Sequence, residues 1–306
     1  MTHLSPQSVV CIGAVHYDTL AHAHVDIHPE TSTPAVFSGK PGGVATNVAR
    51  SLNRLGTTTK LVGALGDDSA ADILAAVLEA EGVDLDGVRR PGFSTGQYIA
   101  LHNPDGSLAA ACVDDRVLGE APADLFDARL ENASSEFDEA IWFIDANLPQ
   151  DLLHQVAARA PSKHLIANAV SNAKAPRFKS VLRDLTCLML NRGEAIALTG
   201  SDAEKSNSNL ITKLLNLGAN QIVMTDGANE VTVYDGRNIL ALAPRDVDIV
   251  DVTGAGDALT AGTIAAMARG YNLPEAVSIG LKAANLTLRT TGALAENLSW
   301  ETLQKL

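Results

Sequence analysis

Short apolar runs alternating with stretches of helical periodicity constrain this chain more than any other feature. Residues 8–13, 60–63, 141–144, 164–167, 187–190 and 221–224 form such runs, each the length of a strand. Residues 44–55 have helical spacing and stop at Gly56; residues 69–81 do the same and stop at Gly82. Strands that are apolar throughout are buried on both faces, and parallel neighbours need a helical crossover between them. The alternation predicts an α/β fold, a three-layer α/β/α sandwich with a mostly parallel central sheet. Ligands of such sheets bind at the carboxyl ends of the strands.

Two segments interrupt the alternation. The chain from about 15 to 40 is irregular, with Asp, His and Pro and the look of short strands. Residues 95–115 read as a hairpin, with Asn103-Pro104-Asp105-Gly106 as the turn. Both follow strand ends on the expected ligand side, which predicts a small β lid within a single domain, 1–306. A small sheet with one apolar face also predicts pairing with its copy, a homodimer through the lid.

The chain has 306 residues, is 46% hydrophobic and carries a formal net charge of −13. That charge argues against nucleic acid or an anionic membrane as partner, yet leaves room for a phosphorylated ligand held by local N–H groups. The three cysteines, Cys11, Cys112 and Cys187, are odd in number and widely spaced, which fits free thiols better than disulfides or zinc. No apolar run reaches the length of a membrane span, and the start lacks the basic-then-apolar pattern of a leader. A cytoplasmic location is the expectation.

Chemistry concentrates in Asp251-Val252-Thr253-Gly254-Ala255-Gly256-Asp257, read as a tight turn opening into a helix from Ala258. Free N–H groups at a helix start, with two glycines, make an anion cradle. Asp257 would repel a resting phosphate, so it reads as a general base, with a simple helix cap as the alternative. An ordinary carboxylate is ionised near neutral pH, so no raised pKa is expected of it. Gly42 and Gly43 open another helix, with Asn47 one turn in; Asp18 follows the first strand. Together they suit a polyol. Asn191-Arg192-Gly193-Glu194 reads either as a capping box or as a site ordering water-bound Mg²⁺ through Glu194, and both readings stay open. Thr225 and Gly227 end a strand where phosphates or ribose could bind. Small residues of the late helix, with Asn285, suit a flat base. P-loop, dinucleotide Gly-x-Gly-x-x-Gly, Gly-x-Ser-x-Gly and His-x-x-x-His patterns are absent from the sequence.

These motifs, in this order, resemble the ribokinase-like family of sugar and nucleoside kinases, nearly end to end. Segments 170–178, 190–195 and 284–299 are similar to a nucleoside-kinase branch. The resemblance implies a kinase that uses ATP and Mg²⁺ and allows a monovalent cation such as K⁺. It implies Asp257 as base, Gly254, Ala255 and Gly256 as anion hole, and Asp18, Gly42, Gly43 and Asn47 as acceptor contacts. Asn191, Thr225, Gly227, Gly256 and Asn285 would meet the nucleotide, and Glu194 the metal through water. Val252, Asn168, Ala169 and Glu230 depart from the usual pattern, which touches nucleotide contacts rather than the base. A kinase for a different nucleoside or a sugar (adenosine, ribose, fructose) and a non-catalytic binding protein are the rival expectations.

Overall fold

The computed structural model describes residues 7–137, 139–161, 164–202 and 204–306; the chain start read above for a leader lies outside them. In chain order the first half contains β1 (Val9–Ile12), β2 (His16–Ala23), β3 (Ala35–Gly42), α1 (Val44–Arg54), β4 (Thr59–Gly66), α2 (Ser69–Ala80), β5 (Asp84–Arg90), β6 (Gly96–His102), β7 (Leu108–Asp114), α3 (Arg116–Gly119) and α4 (Asp127–Glu136). The second half contains β8 (Ile141–Asp145), α5 (Gln150–Arg159), β9 (Leu165–Asn168), β10 (Cys187–Asn191), α6 (Arg192–Thr199), α7 (Asn207–Leu217), β11 (Gln221–Thr225), β12 (Val231–Tyr234), β13 (Ile239–Leu242), α8 (Ala255–Met267), α9 (Leu273–Leu288) and α10 (Trp300–Lys305).

Nine strands form the central sheet, in the order β13-β12-β11-β10-β9-β8-β1-β4-β5. All neighbours from β11 to β5 are parallel, and β12 and β13 close one edge antiparallel. The expected apolar runs are its central strands. Along β1 the side chains alternate: Val9 and Cys11 join the core under α1, α2, α8 and α9, while Val10 and Ile12 join the one under α4 to α7. Two separate cores on the two faces give the three layers. Cys11 and Cys187 are buried there as free thiols; burial pushes the Cys11 thiol far up and that of Cys187 to about 12. Cys112 is exposed. Among the described residues no helix is long and apolar enough to cross a membrane.

The two interrupting segments meet in a second sheet of four strands, β3-β2-β6-β7. β2 and β6 lie parallel at its centre and each pairs antiparallel with its outer neighbour. The hairpin turn is the expected one: Gly106 N–H donates to Asn103 O at 2.9 Å, and Gly106 has φ 83°. Val36, Phe37, Ile99, Leu108 and Val113 of this sheet are exposed.

Candidate active site

The site gathers at the carboxyl ends of the central strands, where β1, β8, β9, β10 and β11 finish and α1, α6 and α8 begin. Helix α8 starts at Ala255, three residues earlier than the sequence suggested. Gly254 is its N-cap with φ 74°, so the glycines and Asp257 are the cap and first turn, not a preceding loop. Ala258 N–H makes the first helical bond, to Gly254 O at 2.8 Å, which leaves the N–H groups of Gly256 and Asp257 outside the ladder. The two glycines serve different ends. A side chain at Gly254 would press to 2.4 Å of Ala293, whereas one at Gly256 would meet nothing within 4 Å. Gly254 is demanded by the fold; Gly256 leaves room for a ligand.

Asp257 is half-buried, and Asn47 Nδ2 donates to its Oδ2 at 2.8 Å. Desolvation pushes its carboxyl up to about 7, with Asp145, Asp18 and Glu194 adding repulsion against the Asn47 bond. This corrects the expectation of an ordinary acid: carboxylates converge here because several strands end together, and each makes the next harder to ionise.

Asp18 stands on β2 with its carboxyl pressed against Gly42, where any side chain would come within 2.0 Å of it. Desolvation raises it to about 6, opposed by Lys40 and Arg50. Gly43, the α1 N-cap at φ 93°, has no room either, since its side chain would lie 2.5 Å from Ala14 O. Asp18 Oδ1, Asn47 Oδ1 and His16 Nε2 are buried without a hydrogen-bond partner. Buried polar atoms are rarely left so; Asp18 and Asn47 are residues expected to hold hydroxyls, and His16 is one the sequence reading did not place there.

Glu194 is 4% exposed, with its carboxyl raised by desolvation. The capping box is present: Asn191 Oδ1 accepts from Glu194 N–H at 2.9 Å, and Glu194 Oε2 accepts from Asn191 N–H at 2.8 Å. The cap does not displace Glu194 from the site, because Asn191, Glu194, Thr225, Gly256 and Asp257 line one cavity of about 180 Å³ with Asn168 and Thr260. Among the described residues no three acidic, His or Cys side chains cluster as a metal cage. That donor set fits a cation held mainly by water and phosphate oxygens. A second cavity, about 380 Å³, shares Thr225 and Gly256 with the first and adds Gly227, Asn285, Ala284, Leu288, Ile249 and Val252. It is largely apolar with a few polar groups, as a flat heterocycle needs. Lys282 points elsewhere, donating to Leu303 O at 3.0 Å.

Asp145, at the end of β8, is a residue the sequence reading missed. It is fully buried; its Oδ2 accepts from Ala14 N–H at 3.2 Å and Ala45 N–H at 2.9 Å, and its Oδ1 from Asn147 N–H at 2.9 Å. It ties the end of β1 to the first turn of α1, as a cap contributed from a hundred residues away. Gly13 has no side chain because Asp145 fills that space, at 2.6 Å. An acid closing the apolar run 141–144 was the available signal.

Residues 6–300 match the description of pfkB family carbohydrate kinases. The chain belongs to that family. Pseudouridine kinase of Escherichia coli is 26% identical over 286 residues, covering 92% of this chain and 90% of its own. A carbohydrate kinase from Agrobacterium tumefaciens superposes with TM-score 0.85 at 29% identity, covering 98% of this chain and 96% of that one. Ribokinase of Arabidopsis thaliana, solved with ribose and ATP, gives TM-score 0.85 at 25% identity over 99% and 98%. The fold is the ribokinase-like α/β fold, and the protein is a sugar or nucleoside kinase.

Proposed function

We propose that this kinase transfers the γ-phosphoryl group of ATP to the 5′-hydroxyl of pseudouridine, giving pseudouridine 5′-phosphate and ADP. One observation carries the reading: the 2.8 Å bond from Asn47 to Asp257. It joins the hydroxyl-binding side, with its unpartnered Asp18 and Asn47 oxygens, to the carboxylate at the anion-holding turn. The acceptor is proposed from the similarity to the E. coli pseudouridine kinase.

Asp18 and Asn47 bind the ribose hydroxyls, and Gly42 and Gly43 give Asp18 and the Ala14 carbonyl the space that seats them at the acceptor side. The ionised Asp257 takes the 5′-hydroxyl proton as the new O–P bond forms and the bond from γ-phosphorus to the leaving ADP oxygen breaks. A base with a pKa of about 7 suits proton transfer at neutral pH. The N–H groups of the 254–257 turn meet the equatorial phosphoryl oxygens, where preorganised donors stabilise developing charge. Thr225, Gly227, Asn285, Asn191 and Gly256 hold the nucleotide. Mg²⁺, when bound, neutralises phosphate charge, and Glu194 would order its waters. The whole chain is read as one domain whose small sheet closes as a lid and excludes water. The exposed apolar side chains of that sheet suit a second copy of the chain, and a cytoplasmic location fits the free thiols.

The test is ATP consumption with Mg²⁺ across pseudouridine, uridine, adenosine, ribose and fructose, repeated with K⁺ exchanged for Na⁺. Preference for pseudouridine is the expected result. Preference for another acceptor overturns the substrate, and no consumption with any of them overturns the catalytic reading.

A further inference from the structure

Lys40 is a charge that the reaction above leaves idle. It stands on β3, in register with Asp18 of β2. Its side chain leaves the small sheet for the segment that follows α9: a methyl group added at Gly292 would lie 2.8 Å from Lys40 Nζ. Gly292 is itself fixed. Its φ is 90°, and its N–H donates to Asp251 Oδ2 at 2.8 Å. The other oxygen of Asp251 accepts from Thr253 N–H at 2.8 Å, inside the turn that leads to α8. The next residue, Ala293, packs so tightly on Gly254 that a side chain there would meet it at 2.4 Å. A chain of contacts therefore runs from Lys40 through Gly292 and Ala293 to Gly254, the N-cap of the anion-holding helix.

Two further observations define what Lys40 does. It does not line the 180 Å³ cavity beside Asp257, so it acts through the loop and not on the phosphoryl group. Among the described residues its ammonium makes no hydrogen bond or ion pair. A half-buried ammonium without a fixed partner acts through its field, which reaches two carboxylates, Asp18 and Asp251, and stabilises the charged form of each.

We propose that Lys40 is a positioning residue that couples the small sheet to the anion hole. With β3 seated, its ammonium holds Gly292 and Asp251 in place, so that Ala293 braces Gly254 and the N–H groups of the first turn of α8 stay aligned. The acceptor side and the phosphate side are then set together by one side chain. The proposal rests on the phosphoryl-transfer reading of the site, and its test has an arm independent of that reading.

That arm is hydrogen exchange of the substrate-free protein, followed by mass spectrometry, on Lys40→Met and Lys40→Arg. Lys40→Met is expected to speed exchange in peptides covering 250–259 and 288–298 and to leave the central strands unchanged, with Lys40→Arg close to wild type. Equal exchange in wild type and Lys40→Met overturns the coupling, even if the protein is an active kinase. In turnover, Lys40→Met should lose about tenfold in kcat, largely recovered in Lys40→Arg. Its acid limb of kcat/KM for the acceptor should move to higher pH, because Asp18 keeps only Arg50 as a stabilising cation while facing the Asp257 carboxylate. An unmoved limb with full kcat also overturns it. A changed exchange pattern in a protein that phosphorylates nothing sinks the kinase reading and leaves the coupling standing.

Discussion

Asp145, at the end of β8, and Asp257, in the first turn of α8, both stand at the carboxyl ends of the central strands and are opposite solutions to a carboxylate near a helix start. Asp145 is fully buried and accepts three backbone N–H groups, from Ala14, Ala45 and Asn147. Asp257 is half-buried and accepts a single side-chain bond, from Asn47. Three backbone donors hold a carboxylate in one place and make it an anchor. Desolvating one that has a single donor, with other acids nearby, raises its proton affinity and makes it usable as a base. The proposed reaction uses both: Asp145 holds the end of β1 and the start of α1, the helix that carries Asn47, while Asp257 remains free to react.

The contrast can be broken from either side. The largest effect is expected from Asp257→Asn, whose turnover should fall by at least about a hundredfold with little change in acceptor KM; near-normal turnover would reject the base. The same variant should be the more stable protein at alkaline pH. The Asp257 carboxyl is raised from 3.8 to about 7 by folding, so the folded state holds that proton more tightly than the unfolded chain. Stability is therefore lost as pH climbs from about 4 to 7. Melting curves should show Asp257→Asn above wild type at pH 8, with the gap closing on acidification.

Asp145→Asn should act on the fold first. An amide in place of one oxygen faces an N–H donor with another donor, and each buried group left unpaired costs about 1–3 kcal/mol. Denaturant titration should find a loss in that range, and a variant as stable as wild type would show that Asp145 is no anchor. Gly256→Ala separates function from stability in the opposite sense. The space around it is open, and alanine favours a helix over glycine by up to about 1 kcal/mol. Its melting temperature should hold or rise while kcat drops, because the methyl group stands where the phosphoryl oxygens approach. The smallest effect is in the pH profile of the wild type: kcat/KM should rise up to about pH 7 as Asp257 ionises, and more steeply below about pH 6 where Asp18 also protonates. A flat profile between pH 5 and 8 would remove both carboxylates from the rate equation.

Much of this was legible in the chain. Six of the nine central strands followed from apolar runs such as 141–144 and 187–190, because burial on both faces leaves no polar alternation; β5, β12 and β13, toward the two sides of the sheet, were not read. The hairpin followed from Asp105-Gly106, because its turn needs a residue tolerant of positive φ. Gly254, Asp257, Gly42, Asn47 and Asn191 stood out because local motifs join unusual residue types within one helical turn. Asp145, Lys40 and the pairing of Asn47 with Asp257 did not, since each depends on residues brought together from far apart in sequence. The start of α8 was misplaced for a related reason: Gly254 to Asp257 looks like loop composition, and only packing against Ala293 shows Gly254 as the cap.

By itself, then, the sequence determined the layered α/β fold, the small sheet and the residue types of a phosphoryl-transfer site, because those are written in periodicity and in short-range backbone demands. The tertiary structure alone decided the acidity of Asp257, the anchoring by Asp145 and the reach of Lys40 to Gly292. Desolvation and charge coupling depend on distances in space, and those are set only when the strand ends converge.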